Sequence, residues 1–131
     1  MPVEIKIAAL GAVLLVVHIL IATKLKTSQY GAKWNIGARD EGVPPPTPLT
    51  GRMVRAQANF QETLPIAIIA LLGVVIAGKT SSTTALGGWI WLAARVAYIP
   101  LYAAGVPVVR TLTWTISIVG LAMVLWPLLA G

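Results

Sequence analysis

The chain has 131 residues, of which 57% are hydrophobic and only 11% charged, with a formal net charge of +6. Soluble domains carry about 25% charged residues, so too few polar groups are present to cover a water-facing surface, and a single integral membrane domain over residues 1–131 is expected. The absence of cysteine excludes disulfides and a protein thiol, and basic residues set inside or beside apolar runs fit membrane topology better than a nucleic-acid footprint.

Ile7 to Thr23 is uncharged and bounded by Lys6 and Lys24. With its flanks it reaches the roughly 20 residues a spanning helix needs, so a first helix is expected over 3–25. Glu4 and the lack of a small-x-small cleavage site argue against a signal peptide. His18 falls mid-span and is expected to hydrogen-bond a neighbouring helix. With no second histidine, a metal site is not expected.

A polar connection follows, with the loop placed at 26–48. Pro44, Pro45, Pro46 and Pro48 favour an extended strap. Tyr30, Trp34 and the nearby charges suit either an ordered lid at headgroup level or an ordinary interfacial loop.

A second helix is expected over 49–78, with Thr50 as its N-cap and Pro65 as a kink site. Its opening stretch, GRMVRAQANFQETLP, organises the chain. Arg52, Arg55, Asn59 and Glu62 are spaced three, four and three apart, so all four share one helical face. The apolar run IAIIALLGVVIAG comes directly after. A charge near the middle of a bilayer costs roughly 2.5–3.5 kcal/mol or more, so other helices must supply partners.

A third helix is expected over 83–104, with Trp89 and Trp91 near its start. Arg95, Tyr98 and Tyr102 lie at i, i+3 and i+7, again one face, and Pro100 should bend it. A fourth helix is expected over 108–130, with Arg110, Trp114 and Ser117 on a shared face. Four spans place both termini on one side. The first and third loops hold most of the basic residues, which puts those loops in the cytoplasm.

The cations at the starts of the second and fourth helices, reinforced by helix N-termini and by Lys24 and Lys26, suit an anionic ligand with carboxylates. Glu62 and Arg95 are expected to form a deeper buried pair that mainly holds helices together. Glu62 is also placed to accept from an ammonium group. Asn59, Tyr98 and Tyr102 offer neutral hydrogen bonds. A small zwitterion with several carboxylates fits this inventory, and so does an anionic phospholipid headgroup.

The pattern Arg52-x-x-Arg55-Ala56-x-x-Asn59-x-x-Glu62-Thr63, continued by Arg95…Tyr102…Arg110-Thr111, resembles the MAPEG family of membrane proteins in eicosanoid and glutathione metabolism. Asn35-x-Gly37-x-Arg39-Asp40-Glu41 resembles its bacterial members. The resemblance implies an all-α four-transmembrane-helix bundle, a homotrimer, and glutathione bound between subunits near the cytoplasmic side. It also implies a lipophilic electrophile arriving from the bilayer and, for a bacterial member, the inner membrane. By position it implies glutathione contacts from Arg55, Asn59, Glu62, Arg95, Tyr98, Tyr102 and Trp114. Arg110 would stabilise the thiolate, assisted by Thr111.

The chain departs from catalytic relatives at Gln57, where histidine is common, and at Ala58, where a basic residue is common. It departs also at Tyr98, which replaces a histidine, and at Trp114, which stands where tyrosine is frequent. Two functional readings follow: a glutathione transferase or peroxidase, and a non-catalytic lipid-binding or scaffold protein of the same fold. A small transporter is disfavoured, because no inverted repeat is visible.

Overall fold

The computed structural model describes residues 1–131 and is all-helical: α1 (Val3–Tyr30), α2 (Ala32–Ile36), α3 (Pro48–Ile76), α4 (Ser82–Ala103) and α5 (Pro107–Leu129). Three of these, α1, α3 and α5, are long and apolar enough to cross a membrane. The 22-residue α4 is not among them. Its sequence explains this. It carries Trp89, Trp91, Arg95, Tyr98, Tyr102 and Pro100, and Trp91, Arg95 and Tyr98 are turned inward and buried. Polar surface on this helix therefore meets protein rather than lipid. The four long helices form a bundle in which α4 packs most extensively on α5, and α1 on α3.

Where the helices begin and end follows local chemistry. Helix α1 runs on to Tyr30, past the expected end at residue 25, because nothing between Lys24 and Tyr30 interrupts it. Gly31 stops it by adopting φ of 97°, a region open chiefly to glycine. The strap beyond is clipped back onto the end of α1. Gln29 Nε2 donates to the Pro45 carbonyl at 2.9 Å, Tyr30 Oη donates to the Pro44 carbonyl at 2.8 Å, and Thr47 N donates to Gln29 Oε1 at 2.9 Å. The cap of α3 is Thr47, not Thr50: Pro48 takes the first helical position, and Thr50 N donates to Thr47 Oγ1. Helices α3 and α4 continue through Pro65 and Pro100.

The core is built on Phe60, Leu71, Trp91, Leu121 and Val124. Helices α4 and α5 touch backbone to backbone at Gly87 and Gly120. A Cβ added to either would stand 2.6 Å from the other's carbonyl oxygen. Small residues that let backbones approach are the usual cement between helices in a membrane, where no hydrophobic drive separates protein from lipid.

At the end where α1 begins, Glu4 is buried and accepts a hydrogen bond from Thr84 Oγ1 at 2.6 Å. Thr84 belongs to a capping box with Ser81, so the carboxylate lies at the start of α4, where the helix dipole favours negative charge. His18 is buried and stacks on Phe60, with ring centroids 5.0 Å apart. Its Nε2 has no hydrogen-bond partner, contrary to the bond across helices expected from the sequence. The ring is held by the aromatic face instead.

Candidate functional site

At the opposite end from Glu4, an open pocket of about 280 Å³ is lined by Arg55, Ala58, Asn59 and Glu62 from α3, Tyr98 and Tyr102 from α4, and Arg110 from α5. The three-four spacing on α3 and the i, i+4 spacing of the tyrosines on α4 turn these side chains into one space.

Tyr102 organises the cations. Its hydroxyl accepts from Arg55 Nε at 3.1 Å, and the Arg110 guanidinium lies over its ring, 4.7 Å from the centroid. One tyrosine thus orients two guanidinium groups without a carboxylate neutralising either. A cation over an aromatic face is stabilised by the ring quadrupole, and it keeps its in-plane N–H donors for something else. Tyr98 sits edge-on to Tyr102, with centroids 5.4 Å apart at 70°.

Asn59 links pocket to interior. Its Oδ1 accepts from Arg95 Nη1 at 2.8 Å. With the amide oxygen committed, the hydrogens on Nδ2 are the donors Asn59 retains for a ligand. Arg95 is wholly buried, its guanidinium 4.3 Å from the Tyr98 ring centroid and 5.2 Å from that of Phe60. Its Nε and Nη2 have no hydrogen-bond partner. The expected Glu62–Arg95 pair does not form. Arg95 turns inward to aromatic faces and Asn59, whereas Glu62 is exposed at the pocket. An amide within reach and two π faces serve the buried cation where the carboxylate stays in a polar opening.

The other sequence-derived candidates lie outside this lining. Arg95 stands behind the pocket. Thr111 is exposed, and its hydroxyl donates to the Pro107 carbonyl at 3.1 Å. Trp114 packs with Met53, Ala56 and Tyr98, its indole nitrogen buried without a partner. Arg52 donates from Nε to the Ala103 carbonyl at 3.1 Å, a cation closing the end of α4. Lys24 lines a separate groove.

Sequence reasoning missed the part played by Phe60, which receives both His18 and Arg95. Its position one residue after Asn59 puts it on the inner side of α3, a signal available in the helical period.

Chemically, the pocket offers two cations, one carboxylate, an amide and phenol groups. It can hold a zwitterion bearing an acidic and an ammonium group, and it can set a guanidinium beside an atom that gains negative charge. No curated protein and no solved structure matches the chain. A family profile does match, and it spans residues 7–130. The chain belongs to the MAPEG family.

Proposed function

We propose that the pocket binds glutathione and that the protein uses the thiol against a lipophilic electrophile, by transfer or by peroxide reduction. The observation that carries this reading is the convergence of Arg55, Asn59, Glu62, Tyr98, Tyr102 and Arg110 on one opening. Glutathione has two carboxylates and one ammonium. The pocket has two guanidinium groups with no carboxylate partner and one exposed carboxylate, so the charges match in kind and number. Membership of a family active in glutathione and eicosanoid metabolism points the same way.

In this reading Arg55 pairs with a glutathione carboxylate, Glu62 accepts from the ammonium, and the Asn59 amide donates to the peptide. Arg110 lies beside the sulfur. A cation there stabilises thiolate over thiol, which raises the nucleophile's population. In transfer, the thiolate sulfur forms a bond to an electrophilic carbon, and the electron pair moves to a leaving group or to an acceptor atom that then takes a proton. Glutathione supplies the thiol. The protein supplies position and charge.

The volume bears on assembly. About 280 Å³ lies just below the roughly 300–1,000 Å³ usual for small-molecule sites, and Arg55, Glu62 and Thr111 are exposed beside it. The small volume and the exposed flanking groups fit a site that one subunit lines only in part. We assign the remaining wall to a neighbouring subunit in a homotrimer, where Thr111, Arg95 and Trp114 would support the ligand directly or from behind. The apolar groove between subunits would take the electrophile. The excess of basic residues in the first and third loops favours a cytoplasmic position for this end, and the resemblance of the first loop to bacterial members favours a bacterial inner membrane.

The test is turnover of a chromogenic electrophile with glutathione in detergent. Wild type turns over, and Arg110→Ala is strongly reduced. Equal rates for the two proteins would remove Arg110 from the chemistry.

A second reading, a non-catalytic lipid-binding or scaffold protein, is favoured by one observation. Ala58 lines the pocket where catalytic relatives present a basic residue. Thermal stability with millimolar glutathione separates the readings. A ligand that binds only the folded form stabilises it by about 2.7 kcal/mol at a hundred times its Kd. No shift would favour the scaffold.

A further inference from the structure

On the other side of the α3–α4 contact lies a second opening of about 420 Å³, sharing no lining residue with the pocket. Its walls are Ile21 and Leu25 of α1, Leu49 and Met53 of α3, and Ile99 of α4, with Lys24 the one charged residue among them. Ala103 closes the wall, and its carbonyl is the group that holds Arg52 Nε at 3.1 Å. The terminal nitrogens of Arg52 make no hydrogen bond within the protein, and Lys24 is exposed. An apolar trough thus has Lys24 in its wall and Arg52 tied to the carbonyl of Ala103, another wall residue.

Charge narrows the occupant. The chain has only four acidic residues. Glu4 is buried at the far end and Glu62 lies in the pocket, which leaves Asp40 and Glu41 in the strap. A second copy of so basic a chain has little to offer Lys24 and Arg52. A phospholipid phosphate has a fixed negative charge and an acyl chain on the same molecule, and the bilayer supplies it at high local concentration. We propose that this groove is a binding site for an anionic phospholipid, one acyl chain lying between α1, α3 and α4 and the phosphodiester held by Lys24 and Arg52.

The groove makes separate use of its two halves, so two variants test it. Lys24→Gln with Arg52→Gln removes the cations and keeps the trough. Ala103→Phe fills the trough and keeps the cations. The measurement is native mass spectrometry of the full chain in detergent, titrated with phosphatidylglycerol or with phosphatidylcholine of the same acyl chains. The wild type retains phosphatidylglycerol preferentially. The double variant loses about fivefold of that preference per cation removed, since each basic residue near an anionic lipid contributes about a factor of five. Ala103→Phe loses retention of both lipids.

Equal retention of the two lipids by the wild type would overturn the proposal, as would a preference that survives both variants. A preference abolished by the charge variant but untouched by Ala103→Phe would mean surface attraction only, and would overturn the groove. Retention of neither lipid would mean that protein occupies the trough, and would overturn it as well. Glutathione affinity, followed in parallel, stays unchanged in both variants, so failure here is distinct from failure of the pocket.

Discussion

The two ends of the bundle treat buried polarity in opposite ways. At the Glu4 end, carboxylate, threonine hydroxyl and serine cap bond to one another, and the cluster is closed. At the Tyr102 end, Arg55 and Arg110 are oriented by a phenol and a ring face, and Glu62 faces the opening without a cation. Both clusters lie at helix termini, and both join residues far apart in sequence. Only one leaves donors and an acceptor unspent. In a membrane protein, where polar side chains serve both as helix cement and as ligand groups, that residual capacity separates a brace from a site.

The largest expected effect tests the open end. Arg110→Ala removes a charge that would act on developing thiolate, and loss of one such stabilising donor typically costs about 100-fold or more in rate. We expect kcat/KM to fall by about that factor while detergent melting changes little. The pH profile supplies a second reading. Thiolate stabilisation by Arg110 would place the apparent thiol pKa below the roughly 8.5 of a free thiol, so wild-type kcat/KM should level off at lower pH than that of the variant. Identical profiles would detach Arg110 from the sulfur.

Asn59→Ala comes next, because Asn59 belongs to both regimes. It takes the one hydrogen bond that Arg95 makes to a side chain, and it faces the pocket. Losing a bond to a charged group costs about 1.5–3 kcal/mol, so both melting and glutathione affinity should drop. Arg95→Gln separates the two. It leaves the Asn59 amide in the pocket but removes the group that fixes its orientation. KM should rise more than kcat falls, a split that a purely structural residue would not produce.

At the closed end, Thr84→Val removes the donor to a buried carboxylate and half of the capping box. A loss of about 2 kcal/mol in stability is expected, with KM for glutathione unchanged. Adding Glu4→Gln should recover part of that loss, and the double-mutant cycle measures the coupling. Any change in KM would break the division between the two ends.

These ends were not equally legible in sequence. The Arg55–Asn59–Glu62 face and the Tyr98–Tyr102 spacing could be read from the helical period alone, because every member lies on a long, unambiguous helix. The partner of Arg95 could not. Asn59 and Glu62 are both within a turn of the same face, and only the inward stacking on Phe60 and Tyr98 decides for the amide. Glu4 was visible only as a charge near the first span, since its partner is eighty positions away on α4. The extension of α1 to Tyr30 was hidden by polar residues that suggested a loop. Polarity is a poor stop signal when no glycine or proline intervenes, and the helix ended at Gly31, the first glycine after Lys24. Capping at Thr47 was concealed by a second threonine three residues on.

The smallest expected effect is also the sharpest test of what the open end is for. Glu62→Gln keeps size and shape and removes one negative charge from an exposed position. Exposed ion pairs are worth about 0–1 kcal/mol, so glutathione affinity should weaken only two- to fivefold, and melting without ligand should hold steady. The informative comparison is with glutathione lacking its α-amino group. Wild type should bind that analogue more weakly than glutathione, and Glu62→Gln should bind both alike, because the carboxylate and the ammonium account for the same increment. A variant that still prefers the amino group would show that Glu62 does not receive it. The pocket would then owe its selectivity to the arginines alone, and a doubly anionic ligand without an ammonium would fit it equally well.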